Sequence, residues 1–315
     1  MKPIVKPIVG VIGLGIMGGA MAEALRAARY RVVGTDISAA ARQRLARAGG
    51  RALASSGEVA READVLITSL PSVAALDMVI AEIAYAGEAA RKSGHSPIVI
   101  ETSTLPIADK ERALAELSRA GVAMLDCPIS GTARRLKERA WTMFVSGDAA
   151  AARKVKFVLA VFTPNAPYVG AFGNGSKMKF IANHLVAIYN VSVGESLTFA
   201  RRMGLDAQQV FDLFAKSPVI GTGVYRLRGK QMVERKYLPA TMKVEVWQKD
   251  MQVIGDMARA VDCPVPLFSA CAPIYNAAMA QGLSQHDTAS VCEVLDRMAG
   301  GHAPRAGRGR ARRKG

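Results

Sequence analysis

The chain has 315 residues, 50% of them hydrophobic, and a formal net charge of +16. That length supports about two domains, each with its own core, and the composition is that of a globular α/β protein rather than a disordered one. No apolar run reaches the roughly 18 residues of a membrane span, and Met1–Val9 lacks the apolar region and cleavage site of a secretory signal, so a cytoplasmic protein with no membrane association is expected.

The first half alternates short apolar runs with helical stretches. Ile8–Ile12 reads as a buried strand, Gly15–Arg29 as a helix, Tyr30–Thr35 as a second strand and Ala39–Ala48 as a second helix. Val65–Leu70 and Ile98–Glu101 read as further strands, each followed by Pro and a helix-like segment, and Val122–Cys127 and Trp141–Ser146 complete the set. Alternating β and α predicts a parallel sheet covered on both faces, with ligands beyond the carboxyl ends of its strands. From about Gly175 the pattern turns helical: Ser176–Met203, Asp206–Lys216, Lys243–Val261, Phe268–Gln281 and Ala289–Ala299. Asp206 is placed to cap its helix, and Pro264 and Pro266 break the chain between two others. The expected organisation is a doubly wound α/β domain over 1–170, an all-α domain over 171–301 and a basic disordered tail over 302–315.

Gly13-Leu14-Gly15-Ile16-Met17-Gly18 leaves an apolar strand and enters a helix, the context in which G-x-G-x-x-G binds a dinucleotide. The first glycine allows the tight turn, the second a close approach of backbone to pyrophosphate, and the third close packing of helix on strand. The helix N-terminus adds unpaired N–H groups and partial positive charge. Asp36 ends the second strand, where a carboxylate accepts the ribose hydroxyls of NAD and repels the 2′-phosphate of NADP. No arginine follows Asp36 directly, the nearest downstream being Arg42; NAD is therefore the expected cofactor, with NADP not excluded.

Six of the positive charges, Arg305, Arg308, Arg310, Arg312, Arg313 and Lys314, fall in His302–Gly315, which has no acidic residue. Such a segment reads as a solvated tail able to touch nucleic acid nonspecifically; aromatic stacking platforms are absent from it, so specific nucleic-acid binding is not expected. Cys127, Cys263, Cys271 and Cys292 form no C-x-x-C pair, and neither a disulfide framework nor a metal site is expected.

These motifs, taken together, resemble the β-hydroxyacid dehydrogenase family, which includes 3-hydroxyisobutyrate dehydrogenase and tartronate semialdehyde reductase and shares a Rossmann-type, 6-phosphogluconate dehydrogenase-like NAD-binding domain. Gly13–Gly18 with Met21 matches its G-L-G-x-M-G-x-x-M opening, and Leu70-Pro71 its L-P strand end. Glu101–Pro106 is similar to its D-x-S-T-x-x-P element, Asp126–Gly131 to D-A-P-V-S-G, Gly173–Lys179 with Asn183 to G-x-G-x-x-x-K-x-x-x-N, and Lys249-Asp250 to a late K-D pair. The likeness runs from residue 8 to about 300, in order.

The resemblance implies hydride transfer between NAD(P) and a small 3-hydroxy acid or its semialdehyde. It makes Lys179 the general acid/base, with Asn183 one helical turn on, on the same face, orienting the substrate hydroxyl or the lysine. An ammonium serves as a base only when burial or a neighbouring cation lowers its pKa. Lys177, about 200° around the helix, is assigned to solvent, and His184 to packing. Ser130, Gly131 and Thr132 would hold the substrate carboxylate. Gly13, Gly15, Ile16, Met17, Gly18, Asp36, Leu70, Pro71, Ser103, Thr104 and Lys249 would bind the cofactor. Family members assemble as dimers or tetramers, implying a homo-oligomer here.

The family's substrate loop usually continues S-G-G-x-x-G-A-x-x-G-T-L, whereas this chain places Thr132, Arg135 and Arg139 at three glycine positions. One of Arg134, Arg135 and Arg139 recognising a second anionic group, and a solvated basic loop, are both open readings. Two further functions remain in play: NADPH-dependent reduction of a small aldehyde or keto acid, and a non-catalytic dinucleotide-binding module that meets nucleic acid through the tail.

Overall fold

A computed structural model of the chain describes residues 6–90, 95–136 and 138–301. The order is β1 (Ile8–Ile12), α1 (Ile16–Ala27), β2 (Arg31–Thr35), α2 (Ala39–Arg47), β3 (Arg51–Ala52), α3 (Ser56–Glu62), β4 (Val65–Thr68), α4 (Val73–Ala90), β5 (Ile98–Glu101), α5 (Ile107–Arg119) and β6 (Ala123–Asp126). Three short strands follow, β7 (Ile129–Ser130), β8 (Thr142–Met143) and β9 (Ser146–Gly147), and then α6 (Ala149–Phe162). The remainder is helical: α7 (Asn174–Arg202), α8 (Ala207–Phe214), α9 (Lys230–Glu234), α10 (Val244–Ala260), α11 (Pro266–Ala280) and α12 (Val291–Met298).

The main sheet runs β3-β2-β1-β4-β5-β6-β9, parallel throughout except for β9. Successive strand residues point to opposite faces, and the apolar runs supply both. Val9, Val11, Ile67, Ile100 and Leu125 pack on one face with Met21 and Leu25 of α1 and Val155 and Leu159 of α6. Ile12, Leu66, Val99 and Met124 pack on the other with Val59 of α3, Leu76 and Ile80 of α4, and Leu117 of α5. The helix after β1 and the helix after β4 thus take opposite faces, which opens a crevice at the ends of these adjacent strands.

Helices α3, α6 and α9 and strands β3 and β7 go beyond the sequence reading. Helix α3 starts at a reciprocal cap: Glu58 N donates to Ser55 Oγ, and Ala54 N donates to Glu58 Oε2 at 3.0 Å. Strand β3 and helix α6 were also outside the expected elements, although Asp148 caps α6 by accepting from Ala151 N. The expected strand Trp141–Ser146 is two strands, because its chain changes partner: Thr142–Met143 pairs with β7 and Ser146–Gly147 with β6.

The chain divides into two compact units, the first ending at Asn183 and the second beginning at His184. No described helix is long and apolar enough to cross a membrane. The tail 302–315 lies outside the described residues.

In the second unit, Asp206 caps α8 as its position implies, accepting from Gln208 N, and Pro266 opens α11. Asp287, fully buried, gathers the Arg228 guanidinium, the Thr241 N–H and hydroxyl, and Ala289 N. Burial alone would raise its pKa, but Arg228 and these hydrogen bonds outweigh it and hold the carboxyl below its usual range. A depressed carboxyl stabilises fully above its unfolded pKa of about 4 and loses that contribution as pH falls through the folded value. Asp287→Ala is expected to cost about 3–5 kcal/mol by stranding a buried guanidinium. Asp287→Asn should also flatten the acid side of the stability–pH curve below about pH 4, measured by chemical denaturation; an unchanged curve would rule this out.

Candidate active site

The glycine turn sits at the β1–β4 crevice. Gly13 has φ +87, and a Cβ there would lie 2.3 Å from Ser69 O at the end of β4. A Cβ on Gly18 would lie 1.8 Å from Gly13 O, so the helix closes on the turn only because neither residue has a side chain. Gly15 differs: a Cβ there meets nothing within 4 Å. It is the N-cap of α1 with no side-chain cap, so bare backbone opens the helix there, flanked by the exposed Ile16 and half-buried Met17. Such a cradle fits a pyrophosphate.

Asp36, at the end of β2, accepts from Leu14 N at 2.6 Å through one oxygen and from Ser38 N at 2.7 Å through the other. A carboxylate offers about four acceptor positions, so it ties the strand to the glycine turn and keeps capacity for ribose hydroxyls. Arg42 donates to the carbonyl oxygens of Asp36 and Ile37.

At the neighbouring strand ends, Leu70 N donates to Ser103 Oγ at 2.8 Å, joining two of the expected cofactor residues. Ser103 N in turn donates to both oxygens of Glu101, at 2.9 and 3.1 Å. Pro71 is exposed beside Leu70, and Thr104 is half-buried.

After β6 the chain passes through Cys127 and Pro128 to Ser130 and Gly131. Gly131 has φ +145, and a Cβ there would fall 2.4 Å from Trp141 Cδ1. The Trp141 N–H donates to Thr132 O at 2.7 Å, and the indole is 1% exposed. The Thr132 hydroxyl is buried with no hydrogen-bond partner among the described residues. Arg139 takes a left-handed φ of 52 and donates to Ala160 O at 2.6 Å. The side chains of Arg134 and Arg135 lie outside the described residues. The loop that lacks the family's glycines is thus held by an indole packed on the glycine it keeps. Cys127 is fully buried, and burial pushes its thiol up.

Helix α7 separates its two lysines. Lys179 is 8% exposed and Asn183 4%, whereas Lys177 is exposed and reaches Asn174 Oδ1 at 3.4 Å. In the second unit, His184 stacks on Phe268 with ring centroids 5.3 Å apart, and the half-buried Lys249 pairs with Asp250 at 3.5 Å.

One group was missed from the sequence. Lys110 of α5 has no exposed side-chain surface and lies 2.8 Å from Asp126 Oδ1 and 3.7 Å from Glu101 Oε2, both equally buried. Burial works against its charge, but the two carboxylates outweigh it and raise its pKa; burial also raises that of Glu101, with Lys110 opposing. The signal was legible: Ile107, Lys110, Ala113 and Leu117 form the buried stripe of α5, so the lysine occupies an apolar position of the helical repeat.

Residues 8–170 match the family of NAD-binding domains of 6-phosphogluconate dehydrogenase, and residues 173–295 the NAD-binding region of NADP-dependent 3-hydroxyisobutyrate dehydrogenase. An L-threonate dehydrogenase of Cupriavidus necator is 30% identical over 91% of this chain and 95% of its own length. A 2-hydroxy-3-oxopropionate reductase of Escherichia coli is 27% identical over 92% and 97%. The crystal structure of a 3-hydroxyisobutyrate dehydrogenase from Salmonella typhimurium superimposes with a TM-score of 0.81 at 26% identity, covering 92% of this chain and all of that one.

Two glycine variants separate cradle from scaffold. Gly15→Ala adds a methyl to open space and should leave thermal stability unchanged while weakening NADH binding by about tenfold, roughly 1.4 kcal/mol. Gly18→Ala should lower both, because its methyl meets the Gly13 carbonyl. Nicotinamide fluorescence and calorimetry measure the pair; equal NADH affinity in Gly15→Ala and wild type would remove the cradle.

Proposed function

The chain belongs to the β-hydroxyacid dehydrogenase family, and we propose that it oxidises a small 3-hydroxy acid to its semialdehyde, reversibly and with NAD as the preferred cofactor. The observation that carries this reading is on α7: of two lysines two residues apart, Lys179 is buried one turn before the buried Asn183, while Lys177 faces solvent.

The nicotinamide, when bound, accepts a hydride from the alcohol carbon or returns one to the carbonyl. Lys179 takes the hydroxyl proton in the forward direction and donates a proton to the carbonyl oxygen in reverse. Asn183, on the same face of the helix, orients the hydroxyl and has no charge to titrate. Ser130 and the backbone of Gly131 hold the substrate carboxylate, and the Thr132 hydroxyl, buried and without a partner among the described residues, supports a ligand hydrogen bond there. Gly13, Gly15, Ile16, Met17 and Gly18 cradle the pyrophosphate and Asp36 the ribose. Leu70, Pro71, Ser103 and Thr104 would border the nicotinamide, and Lys249 is assigned to cofactor binding as part of the same proposal.

A second reading, reduction of a small aldehyde or keto acid with NADPH, is favoured by Arg42, whose guanidinium lies against the carbonyls that end β2. A homodimer or homotetramer is part of the proposal, supported by Phe199, Leu213, Leu267 and Met298, which are large, apolar and exposed in the second unit. So is a cytoplasmic location, supported by four free cysteines.

The test is a screen of 3-hydroxy acids and small aldehydes with both cofactors. NAD should give the higher kcat/KM, and Asp36→Ala should narrow the difference. Lys179→Ala should lower kcat by about 10²–10⁴-fold with cofactor affinity unchanged. Full activity in Lys179→Ala would sink the assignment, and a preference for NADPH would turn the reading to the second function.

A further inference from the structure

We propose that Asp126, Lys110 and Ser176 are positioning residues that clamp the first turn of α7 to the end of β6 and thereby fix where Lys179 stands. The inference rests on the reading of Lys179 as the proton-transfer group.

The first N–H groups of a helix have no partner within it and must find one outside. In α7 they find the sheet. Ser176 N donates to Asp126 Oδ2 at 2.7 Å, and Gly175 N donates to Ser146 Oγ at 2.9 Å. The Ser146 hydroxyl itself donates to Asp126 O at 3.0 Å. The Ser176 hydroxyl donates to Asp126 Oδ1 at 2.9 Å and accepts from Lys110 Nζ at 3.2 Å. Asp126 therefore caps a helix 50 residues further along the chain.

The clamp has no slack. Lys110, Asp126, Glu101 and Ser146 are fully buried, and Ser176 almost so. Water cannot replace a lost partner among them. Gly175 closes the approach: a Cβ there would lie 2.5 Å from Phe144 O and 2.6 Å from Asp126 O. Lys110 binds Asp126, Glu101 and Ser176 at once, so the carboxylate that receives the helix is itself held from α5. Ser176 precedes Lys179 by three residues, and positions three apart share a face. Rotation or fraying of that first turn moves the Lys179 amine directly. None of the clamp residues needs to touch substrate.

The test uses Ser176→Ala, which removes the hydroxyl and keeps the backbone hydrogen bond, and Asp126→Asn, which keeps the shape and removes the charge. The readout is trace acetylation of the full chain without substrate, as the ratio of modification at Lys179 to that at Lys177, whose exposure makes it an internal reference. Both variants should raise the ratio severalfold. Their kcat should fall toward the about 10²-fold that a misplaced group costs, with NADH affinity unchanged. An unchanged ratio overturns the proposal, even if both variants melt at lower temperature. Lys179→Ala separates the two claims: wild-type turnover there removes the catalytic role of Lys179, while the acetylation ratio still decides whether the clamp holds the helix.

Discussion

Glu101, Lys110 and Asp126 sit side by side with no exposed side-chain surface, two carboxylates sharing one ammonium. Charges in that setting must be answered by protein groups, since removing one partner of a buried pair costs about 3–5 kcal/mol. The answers propagate. Glu101 receives Ser103 N, the Ser103 hydroxyl receives Leu70 N, and Asp126 receives Ser176 N. One lysine thus stands behind a hydrogen-bonded chain running from the end of β4 through β5 and β6 to the start of α7, along the carboxyl ends of the strands, where open α/β sheets bind ligands.

The glycine turn stands apart from that chain and obeys a different rule. It is held by close contact: Gly18 packs on the Gly13 carbonyl, and Asp36 reaches back to Leu14 N. Steric exclusion leaves only glycine at two of its positions, while Gly15 has room for a side chain and carries none. Two glycines serve the scaffold, and the third keeps a space clear.

Those rules decide what could be read before the structure. The turn at Gly13–Gly18 was legible because its residue types follow from backbone stereochemistry, and the strands around it because parallel, doubly covered strands are continuous apolar runs. The separation of Lys179 from Lys177 followed from helical periodicity alone. Lys110 was not legible as a partner of Asp126, since its meaning depends on a contact 16 residues away across a strand and a helix. Helix α3 had a local signal in Ser55 and Glu58, but its few apolar residues were too short a run to show a period. The division after Asn183 falls inside one continuous helix, where composition does not change, so it left no trace at the position where the residue pattern turns helical.

The loop after β7 kept one glycine of the family's set, and Trp141 lies against it. The protein has only two tryptophans, and this one is sealed from water with its N–H on the Thr132 carbonyl. Any movement of Ser130–Thr132 changes the polarity around that indole. With the second tryptophan, Trp247, replaced by phenylalanine, its emission colour reports the state of this loop with no dye and no label attached.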